Sequence, residues 1–519
     1  MILLKEYGME AYALNGIDYF VMILYLVGTI AFGTYLGKNI RSGKDYFLAG
    51  RRLPWWAIGM SLVVSDIGAI DIVGIGGAAY VSGIVLGNFD WLGSVPVMVI
   101  AGMIFVPYLW RSQSYTIPEF LGKRYNIGVR SIMALIWGVF LATNLGVMLF
   151  ATAKMLSVML GWDINTSIIA SAVAVGIYTL AGGLAAVVYT DVIQCIVMFG
   201  GCFLTLFLGL YEVGGFFELM DKVTAMGEQY RQHFNLVLPA DTPTNFPWPG
   251  ILFGLGFVMA PAYWFGNQAI MQRCLGASTE FEAKASMMWG SILKIFIPIV
   301  MVIPGIIALA YLPPVDDADT ALPLLIRNMM PPGLLGIFFA AFLAAFMSSV
   351  DSCLNSAATL LTCDLYQRFI VRDGSDRHYL FVGRLITLFF IIFGVLFAIW
   401  IQNNESGIYN LIQTMLSLFQ GPSLAILLFG VLWWRATGIG ALLGLLGGLV
   451  TSLTLYGVNM LATVPIFQIQ DPFLYISWWS FCVTVVLLIV ISLLTPPEPE
   501  EKLVGLVYKY RSRNHASVH

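Results

Sequence analysis

Apolar residues in this chain are grouped into long runs, which short polar segments separate. A run of about 20 apolar residues forms a helix long enough to cross the roughly 30 Å hydrocarbon core of a bilayer. The pattern therefore predicts an all-α integral membrane protein with about thirteen transmembrane helices. The predicted helices begin near Ile17, Trp55, Leu92, Val129, Thr166, Tyr189, Pro249, Ala285, Gly333, Tyr379, Ile408, Ile439 and Leu474.

Two of the predicted spans are interrupted. The stretch from Trp55 to Asp90 is rich in glycine, and the stretch from Gly254 to Gln272 contains Pro261 and Gly266. Glycine lets a helix unwind inside the membrane, where bare carbonyl oxygens can bind a cation. Two breaks separated by five spans are typical of a five-plus-five inverted-repeat transporter with its site at mid-membrane. The alternative is that Gly and Pro are simply common in membrane helices.

This organisation predicts six segments along the chain. They are residues 1–53 (outer N-terminus, extra first helix and cytoplasmic loop), 54–212 (first inverted repeat), 213–248 (extracellular loop), 249–435 (second inverted repeat), 436–495 (additional C-terminal helices) and 496–519 (cytoplasmic tail). A second long outer loop contains the acidic stretch Val315–Thr320 and an apolar run to Met330. We interpret that loop as an ordinary solvated one; the alternative is a short helix that caps the mouth of the site.

Lysines and arginines fall mostly on alternate connections between the predicted spans. One side carries Arg51, Arg111, Arg273, Arg372 and Arg435 among others, whereas the opposite side carries few basic residues. Because Lys and Arg accumulate in cytoplasmic loops, the pattern predicts an extracellular or periplasmic N-terminus and a cytoplasmic C-terminus. This answer requires an odd number of spans, which thirteen satisfies.

Composition supports the same class. Of the 519 residues, 59% are hydrophobic and 11% are charged, and the mean hydropathy is +0.85. These values exclude a soluble domain and indicate a multi-pass protein of the plasma or inner membrane, surrounded by the lipid bilayer. Nothing in the chain suggests nucleic-acid binding, and no nucleophile, base or metal constellation typical of an enzyme accompanies the spans.

Four charged residues lie within predicted spans and require partners. Three are the aspartates Asp66, Asp71 and Asp90 of the first interrupted stretch, and the fourth is Lys294. An acid at the centre of a spanning helix costs about 2.5–3.5 kcal/mol, so such groups face a cavity, an ion or a polar ligand. We expect Lys294 to pair with Asp66, Asp71 or Asp90, and we expect the group to form a transport site.

A second polar cluster lies in the span that begins near Gly333. Ser348, Ser349, Asp351 and Ser352 fall within about one helical turn, and Asp191 lies near the end of another span. Hydroxyl and carboxylate oxygens suit a small hard cation such as sodium. Asp191 and Asp351, if neighbours, would either hold a cation between them or share a proton. The residues alone leave both alternatives open.

Several motifs of the chain resemble those of the sodium/solute symporters, most closely the sodium/glucose cotransporter branch. They are Tyr178–Gln194, Ala344–Tyr366, Gly87–Trp91, Ala262–Trp264 with Gln272–Leu275, and Leu411–Gln413 with Gly421–Pro422. The resemblance covers the chain from Ile17 to about Leu455. It implies a LeuT-type fold with extra flanking helices and sodium-coupled import of a neutral sugar or polyol, a hexose or inositol, by alternating access.

The resemblance also implies ion sites. The main sodium site would use Val64, Ile67, Ala345, Ser348 and Ser349. A second sodium site, present only in some members, would use Asp191, Ser348, Asp351 and Ser352. Asp351 departs from the family pattern, because a neutral small residue is usual at that position. This departure leaves the number of coupled ions, and proton involvement, open.

The family's solute-binding and gate positions map onto the chain in the same way. The solute-binding residues would be Asp66, Asp71, Asp90, Tyr263, Trp264, Lys294 and Gln413. The gates would be Ile75, Phe89 and Tyr409 on the outside and Tyr263 on the inside. For these aromatic residues plain packing is the alternative. Asp66 and Asp71 depart from the sugar carriers, so an amino acid or other zwitterionic or cationic solute is the alternative substrate. A sugar-binding sensor or channel is the alternative class.

Overall fold

The computed structural model describes residues 14–37, 48–179, 184–402, 407–461, 466–467, 469 and 471–508. Within these residues the chain is built of helices, and an isolated β-bridge joins Leu53 to Ala277. The ends of the chain, whose sides of the membrane the basic residues predict, lie mostly outside the described residues.

The helices of this part differ widely in length. In chain order they are α1 (Gly16–Gly37), α2 (Trp55–Asp66), α3 (Asp71–Gly87), α4 (Phe89–Arg111), α5 (Ile117–Arg124), α6 (Ile127–Leu160), α7 (Ile164–Thr179), α8 (Leu184–Val213), α9 (Phe216–Ala225), α10 (Gly250–Gly266), α11 (Gln268–Leu275), α12 (Glu280–Tyr311), α13 (Ala321–Met329), α14 (Leu334–Phe369), α15 (Asp376–Ile401), α16 (Ile408–Leu432), α17 (Gly438–Leu461), α18 (Phe473–Leu494) and α19 (Glu500–Leu503). Short 3₁₀ turns are found at Ala49–Arg51, Glu228–Phe234 and Ala318–Thr320.

Apolar composition and length identify the membrane-spanning helices. Among the described residues, 10 helices are long and apolar enough to cross a membrane, and the bent pair α2–α3 makes up to 11 spans. The helices Ile164–Gly176 and Gly250–Gly266 are apolar but shorter. The count of thirteen spans therefore stays a prediction.

The first interruption is a sharp bend between α2 and α3. The two helices meet at 56°, and Ile67 between them has extended backbone angles of φ −99° and ψ 102°. In a continuous helix the Gly68 N–H would bond the Val64 carbonyl four residues earlier. Here it donates to Asp71 Oδ2 at 2.8 Å. The Asp71 carboxylate thus accepts the hydrogen bond of the Gly68 N–H, and the Val64 carbonyl is left without its helical donor at the break.

The second interruption lies where the sequence predicts it, between α10 and α11. Asn267 is extended, with φ −71° and ψ 120°, and its side-chain oxygen accepts a hydrogen bond from the Ala269 N–H at 2.9 Å. A capping side chain of this kind satisfies a free donor at the start of the new helix. Asn267 therefore ends one helical segment and begins the next.

The acidic loop before α13 does not behave as a solvated loop. Residues Ala321–Met329 form a helix whose inner face is buried, and Leu322 packs against Gly76 of α3. A Cβ atom on the adjacent Gly77 would lie 2.8 Å from the Ala318 carbonyl oxygen, so the loop backbone needs glycine there. The expectation of a solvated loop is wrong, because an apolar face on α13 finds an apolar surface on α3. The alternative of a short helix is confirmed, and its role as a cap over the mouth of the site stays a prediction.

The extra helix α1 is attached to α14 through one carboxylate. Asp18 is fully buried, and its Oδ1 accepts hydrogen bonds from the Gly333 and Gly336 N–H groups at 2.7 Å each. An acid at a helix N-terminus pairs with unsatisfied N–H groups and with the positive end of the helix dipole. Asp18 thereby positions the helix that carries the Ser348 cluster.

Candidate solute and sodium sites

The residues predicted to bind solute line a single cavity. It lies at the bend between α2 and α3 and has a volume of about 140 Å³, a size that suits a small solute. All seven predicted solute-binding residues and all four predicted gate residues contribute to its wall. They are Asp66, Asp71, Asp90, Tyr263, Trp264, Lys294 and Gln413, with Ile75, Phe89 and Tyr409. The structure thus brings these residues together, while their roles stay predictions.

Lys294 reaches the cavity from α12 and forms two ion pairs. Its ammonium contacts Asp66, and it lies 2.7 Å from Asp90 Oδ1. The same ammonium lies 5.8 Å from the centre of the Trp264 ring, within cation–π range. The prediction that Lys294 is paired is confirmed for Asp66 and Asp90. Asp71 instead accepts a hydrogen bond from the Gly68 N–H.

Aromatic side chains close the cavity on one side. The Phe89 and Tyr409 rings meet edge to face with centroids 5.2 Å apart, and Phe89 makes a similar contact with Phe246 at 6.0 Å. Tyr263 and Trp264 lie edge to face at 5.8 Å on another part of the wall. Edge-to-face contacts of this kind serve packing and gating equally well.

Sequence reasoning missed several polar residues of the wall, among them two amides. Asn144 projects from α6, and Gln420 from α16 lies directly before the Gly421–Pro422 motif. Gln420 is 1% exposed, and its Oε1 finds no hydrogen-bond partner within the described part of the chain. An unsatisfied buried acceptor is costly, which suggests that a ligand donor completes it. The position of Gln420 directly before the helix-breaking Gly421–Pro422 pair was the feature of the sequence that could have identified it as a site residue.

Among the predicted main sodium residues, Val64 and Ile67 lie at the α2–α3 break, and Ser349 contacts the break from α14. The Ser349 side chain of α14 packs directly on Gly68, where a Cβ atom would lie 2.6 Å from Ser349 Oγ. Ser349 is 2% exposed, and its Oγ has no hydrogen-bond partner among the described residues. Val64, Ile67, Ala345 and Ser348 are equally buried. A released carbonyl and an unsatisfied hydroxyl at one break are oxygen ligands of the kind that a small hard cation takes.

The second predicted sodium site is organised around Asp191 of α8. Its Oδ1 accepts from Ser348 Oγ at 2.6 Å. Its Oδ2 accepts from Ser61 Oγ at 2.5 Å and from Ser65 Oγ at 3.0 Å. Ser352 Oγ in turn donates to Ser65 Oγ at 2.9 Å. Three helices, α2, α8 and α14, are thus joined through hydroxyl groups around one fully buried carboxylate.

A guanidinium lies among the residues of this second site. Arg273 of α11 donates to Ser61 Oγ and to Ser65 Oγ at 2.6 Å each, and it also contacts Ser352 Oγ. Its Nη2 lies 3.6 Å from Asp191 Oδ2. The structure therefore brings Asp191, Ser348 and Ser352 together, with a resident cation beside them. Asp351 is buried on the same stretch of α14.

The placement of Arg273 differs from the sequence analysis, which counts it among the basic residues of the loops. The side chain is 1% exposed because α11 begins at the Asn267 break and carries Arg273 inward against α2 and α14. A charge is buried in a protein only when it is paired and hydrogen-bonded. The motif Gln272–Leu275 was the signal that this arginine is more than a loop residue.

Comparisons with known proteins place the chain in a family. A model of the sodium:solute symporter family matches residues 46–448. The chain belongs to the sodium:solute symporter family. It is 32% identical over 552 residues to sodium/glucose cotransporter 4 of Mus musculus, covering 96% of this chain and 78% of the relative. It is also 32% identical over 468 residues to the sodium/glucose cotransporter of Vibrio parahaemolyticus, covering 86% of each chain.

Solved structures show the same fold. A substrate-bound outward-open state of a Na⁺-coupled sialic acid symporter superposes with a TM-score of 0.81 at 23% identity, covering 93% of this chain and 99% of that chain. The nucleobase-cation-symport-1 transporter Mhp1 superposes with a TM-score of 0.56 at 12% identity, covering 89% and 98%. The predicted LeuT-type fold is confirmed.

Membership of this family decides the broad activity. The symporter is a multi-pass membrane protein that moves a small solute together with sodium, and sodium is its co-transported ion. The prediction that the chain is not an enzyme is confirmed, because the family and these relatives are transporters.

Proposed function

We propose that the symporter imports a neutral sugar or polyol, a hexose or inositol, together with sodium. The observation that carries this proposal is the pairing of Lys294 with Asp66 and Asp90 in the cavity wall. The pairing leaves a surface dense in donors and acceptors whose ammonium is already neutralised. Such a surface suits a ligand with many hydroxyl groups and no charge. The two sodium/glucose cotransporters described above support the same solute class.

The remaining wall residues suit a sugar ring. Gln413 offers an amide donor and an acceptor, and Asn144 offers the same from the facing helix. The rings of Tyr263 and Trp264 present apolar faces on which the C–H surface of a sugar or polyol stacks. Polar groups would then fix the orientation of the solute, and the aromatic faces would supply apolar contact area.

A zwitterionic or cationic solute such as an amino acid is the second candidate. The cavity wall holds three carboxyl groups, those of Asp66, Asp71 and Asp90, and one ammonium, that of Lys294. Asp71 has no ion pair in the described residues, and its Oδ2 accepts a hydrogen bond from the Gly68 N–H. Its second oxygen is placed to receive an amine. This excess of acid is the feature that favours the alternative.

We infer the direction of transport from the basic residues. The side that carries Arg111, Lys123 and Arg372 is the cytoplasmic one, with the N-terminus outside and the C-terminus inside.

Sodium at the Ser349 site would favour the outward-open state and order the neighbouring solute cavity, so each ligand raises the affinity of the other by the same factor. The membrane potential supplies about 2.3 kcal/mol per charge per 100 mV, which corresponds to a roughly fifty-fold solute gradient.

Uptake by the purified protein in proteoliposomes tests the proposal. Radiolabelled glucose, galactose, myo-inositol and proline are each offered with an inward sodium gradient and with the same gradient of choline. We expect accumulation of a sugar or of myo-inositol in sodium only. Sodium-dependent accumulation of proline without any sugar would replace the proposal by the second candidate. Saturable sugar binding without uptake would contradict import and indicate a sensor.

A further inference from the structure

Below the sodium sites, a stripe of buried polar residues continues along α14. Ser348, Ser352, Asn355 and Thr359 follow one another at spacings of four, three and four residues. Residues at these spacings share one face of a helix. All four are 5% exposed or less, and Thr362, the next polar residue, is fully buried. A polar stripe this long inside an apolar span is costly unless it meets polar partners.

Helix α11 supplies those partners. Gln272 Nε2 donates to Thr359 Oγ1 at 2.9 Å, and Thr359 Oγ1 donates to the Asn355 carbonyl at 2.7 Å. Gln268 Nε2 donates to Gln272 Oε1 and to the Tyr115 carbonyl, both at 3.3 Å. The hydrogen-bonded chain therefore runs from the middle of α14 to Tyr115. We refer to Ser352, Asn355, Thr359, Thr362, Gln272 and Gln268 as the polar file.

The polar file connects the Asp191 cluster with a second cavity. Its upper end is Ser352, which belongs to the Asp191 cluster. Its lower end, the buried Thr362, lies behind the wall of a separate cavity of about 640 Å³, which is lined by both acidic and basic side chains, among them Glu119 and Arg372. Ten residues of helix separate Ser352 from Thr362, which corresponds to a distance of about 15 Å along the axis. The lower cavity lies on the side that we propose is cytoplasmic.

Two oxygen atoms of the polar file are left without partners. Asn355 Oδ1 and Thr362 Oγ1 are buried and make no hydrogen bond to any described residue. Buried polar atoms are nearly always satisfied by protein, water or an ion. A purely structural stripe would satisfy its own acceptors, as Gln268 and Gln272 do. The free acceptors point to a mobile ligand that binds oxygen.

We infer that the polar file is the route by which sodium leaves the Asp191 cluster for the cytoplasmic side, separate from the solute path past Tyr263. Hydroxyl, amide and carbonyl oxygens along the route replace the hydration shell of the ion in short steps. The inference rests on sodium coupling and on the proposed orientation, and it does not depend on which solute is carried.

Arg273 closes the upper end of the route in this conformation. Its guanidinium bonds to Ser61, Ser65 and Ser352, the hydroxyl groups that an ion entering the polar file would need. The Arg273–Asp191 pair carries no net charge. A sodium ion that passes it is therefore neither bound tightly by a free carboxylate nor repelled by a free guanidinium. A rearrangement that separates α11 from α2 would free the hydroxyl groups and open the route.

The experiment compares full-length variants in proteoliposomes under an inside-negative membrane potential. Thr359→Val removes a hydroxyl with little change of shape, Thr359→Ser keeps it, and Gln272→Leu removes an amide. Thr387→Val is the matched control, because Thr387 is 1% exposed and its hydroxyl donates to the Gly383 carbonyl four residues earlier, outside the polar file. The readouts are ²²Na⁺ entry and the exchange of radiolabelled glucose at equal, saturating sodium on both sides. Gel filtration of each variant checks that it is folded.

We expect Thr359→Val and Gln272→Leu to slow ²²Na⁺ entry about tenfold, as the loss of one oxygen ligand worth a single hydrogen bond implies. Glucose exchange should change less than about twofold, and Thr359→Ser and Thr387→Val should match the wild type in both readouts. Unchanged ²²Na⁺ entry in Thr359→Val, or an equal loss in Thr387→Val, would overturn the inference. Absence of glucose exchange in the wild type would exclude glucose as the solute, while the ²²Na⁺ comparison would still decide the route.

Discussion

Arg273 and Asp191 form a buried ion pair, with 3.6 Å between Nη2 and Oδ2 and side-chain exposures of 1% and 0%. The pair joins the helix after the second break, α11, to α8. It lies beside the hydroxyl groups of α2 and α14, so four helices meet at one neutralised charge. Two buried charges depend on each other far more than surface charges do, because neither has water as an alternative partner.

Removing one member of this pair should therefore destabilise the protein more than removing both. Arg273→Gln and Asp191→Asn each leave a buried charge uncompensated, at a cost of about 3–5 kcal/mol. The double variant leaves no uncompensated charge, so its loss should be smaller than that of either single variant. The measurement is the thermal unfolding midpoint of purified protein for the four members of the cycle. Additive losses would show that the two charges do not stabilise each other.

Substitution of Asp90 in the cavity wall should weaken the affinity for the solute and leave the affinity for sodium unchanged. Asp90→Asn keeps an oxygen near Lys294 and removes the charge, so we expect the half-saturating solute concentration to rise about tenfold. The half-saturating sodium concentration should change less than about twofold. Sodium-dependent uptake at varied solute and varied sodium separates the two constants. Asp163→Asn, an exposed helix cap away from the cavity, is the control.

Ser349→Ala should have the reverse effect. Because Ser349 Oγ has no partner among the described residues, its removal leaves no protein group unsatisfied, and the unfolding midpoint should stay unchanged. The half-saturating sodium concentration should rise about tenfold if the hydroxyl is an ion ligand. Ser356→Ala, also buried on α14, is the control. Sodium dependence that is equal in wild type and Ser349→Ala would show that the main ion site lies elsewhere.

An acidic residue of the outer loop links three elements near the gate. Asp319 Oδ2 lies 2.9 Å from Lys154 Nζ of α6 and accepts from the Ile408 N–H at 3.1 Å, at the start of the helix that carries Tyr409. Burial raises the pKa of the Asp319 carboxyl above its ordinary value of 3.8, and the Lys154 ammonium limits the rise. Protonation of Asp319 removes the negative charge that pairs with Lys154 and weakens the hydrogen bond that the Ile408 N–H donates at the start of α16.

Solute uptake should consequently fall when the outer pH is lowered through the folded-state pKa of Asp319. The free energy of unfolding should change in the opposite sense. Between pH 3.8 and the raised pKa, Asp319 is protonated in the folded protein and ionised in the unfolded chain, so the free energy of unfolding decreases as the pH rises through this range. Asp319→Asn should show low uptake and no titration in this window. Uptake at graded outer pH is compared between the wild type and Asp319→Asn, with the exposed Asp316→Asn as control. An identical acid limb in Asp319→Asn would assign the titration to another group.

Much of the architecture could be predicted from the residue pattern. Apolar runs must cross the bilayer whatever their neighbours are, because no partner but lipid or another apolar helix accepts them. The breaks near Gly68 and Asn267 follow from local backbone chemistry in the same way. That Lys294 is paired also follows without a structure, since an unpaired ammonium in a span is too costly.

Which groups meet across helices was decided by tertiary packing alone. The pattern offered Lys294 three aspartates, and helix packing selected Asp66 and Asp90 while the Gly68 N–H engaged Asp71. It also carried Arg273 from an apparent loop to Asp191. Pairings between residues far apart in sequence depend on the crossing and depth of whole helices, and the periodicity of one helix contains no information about either.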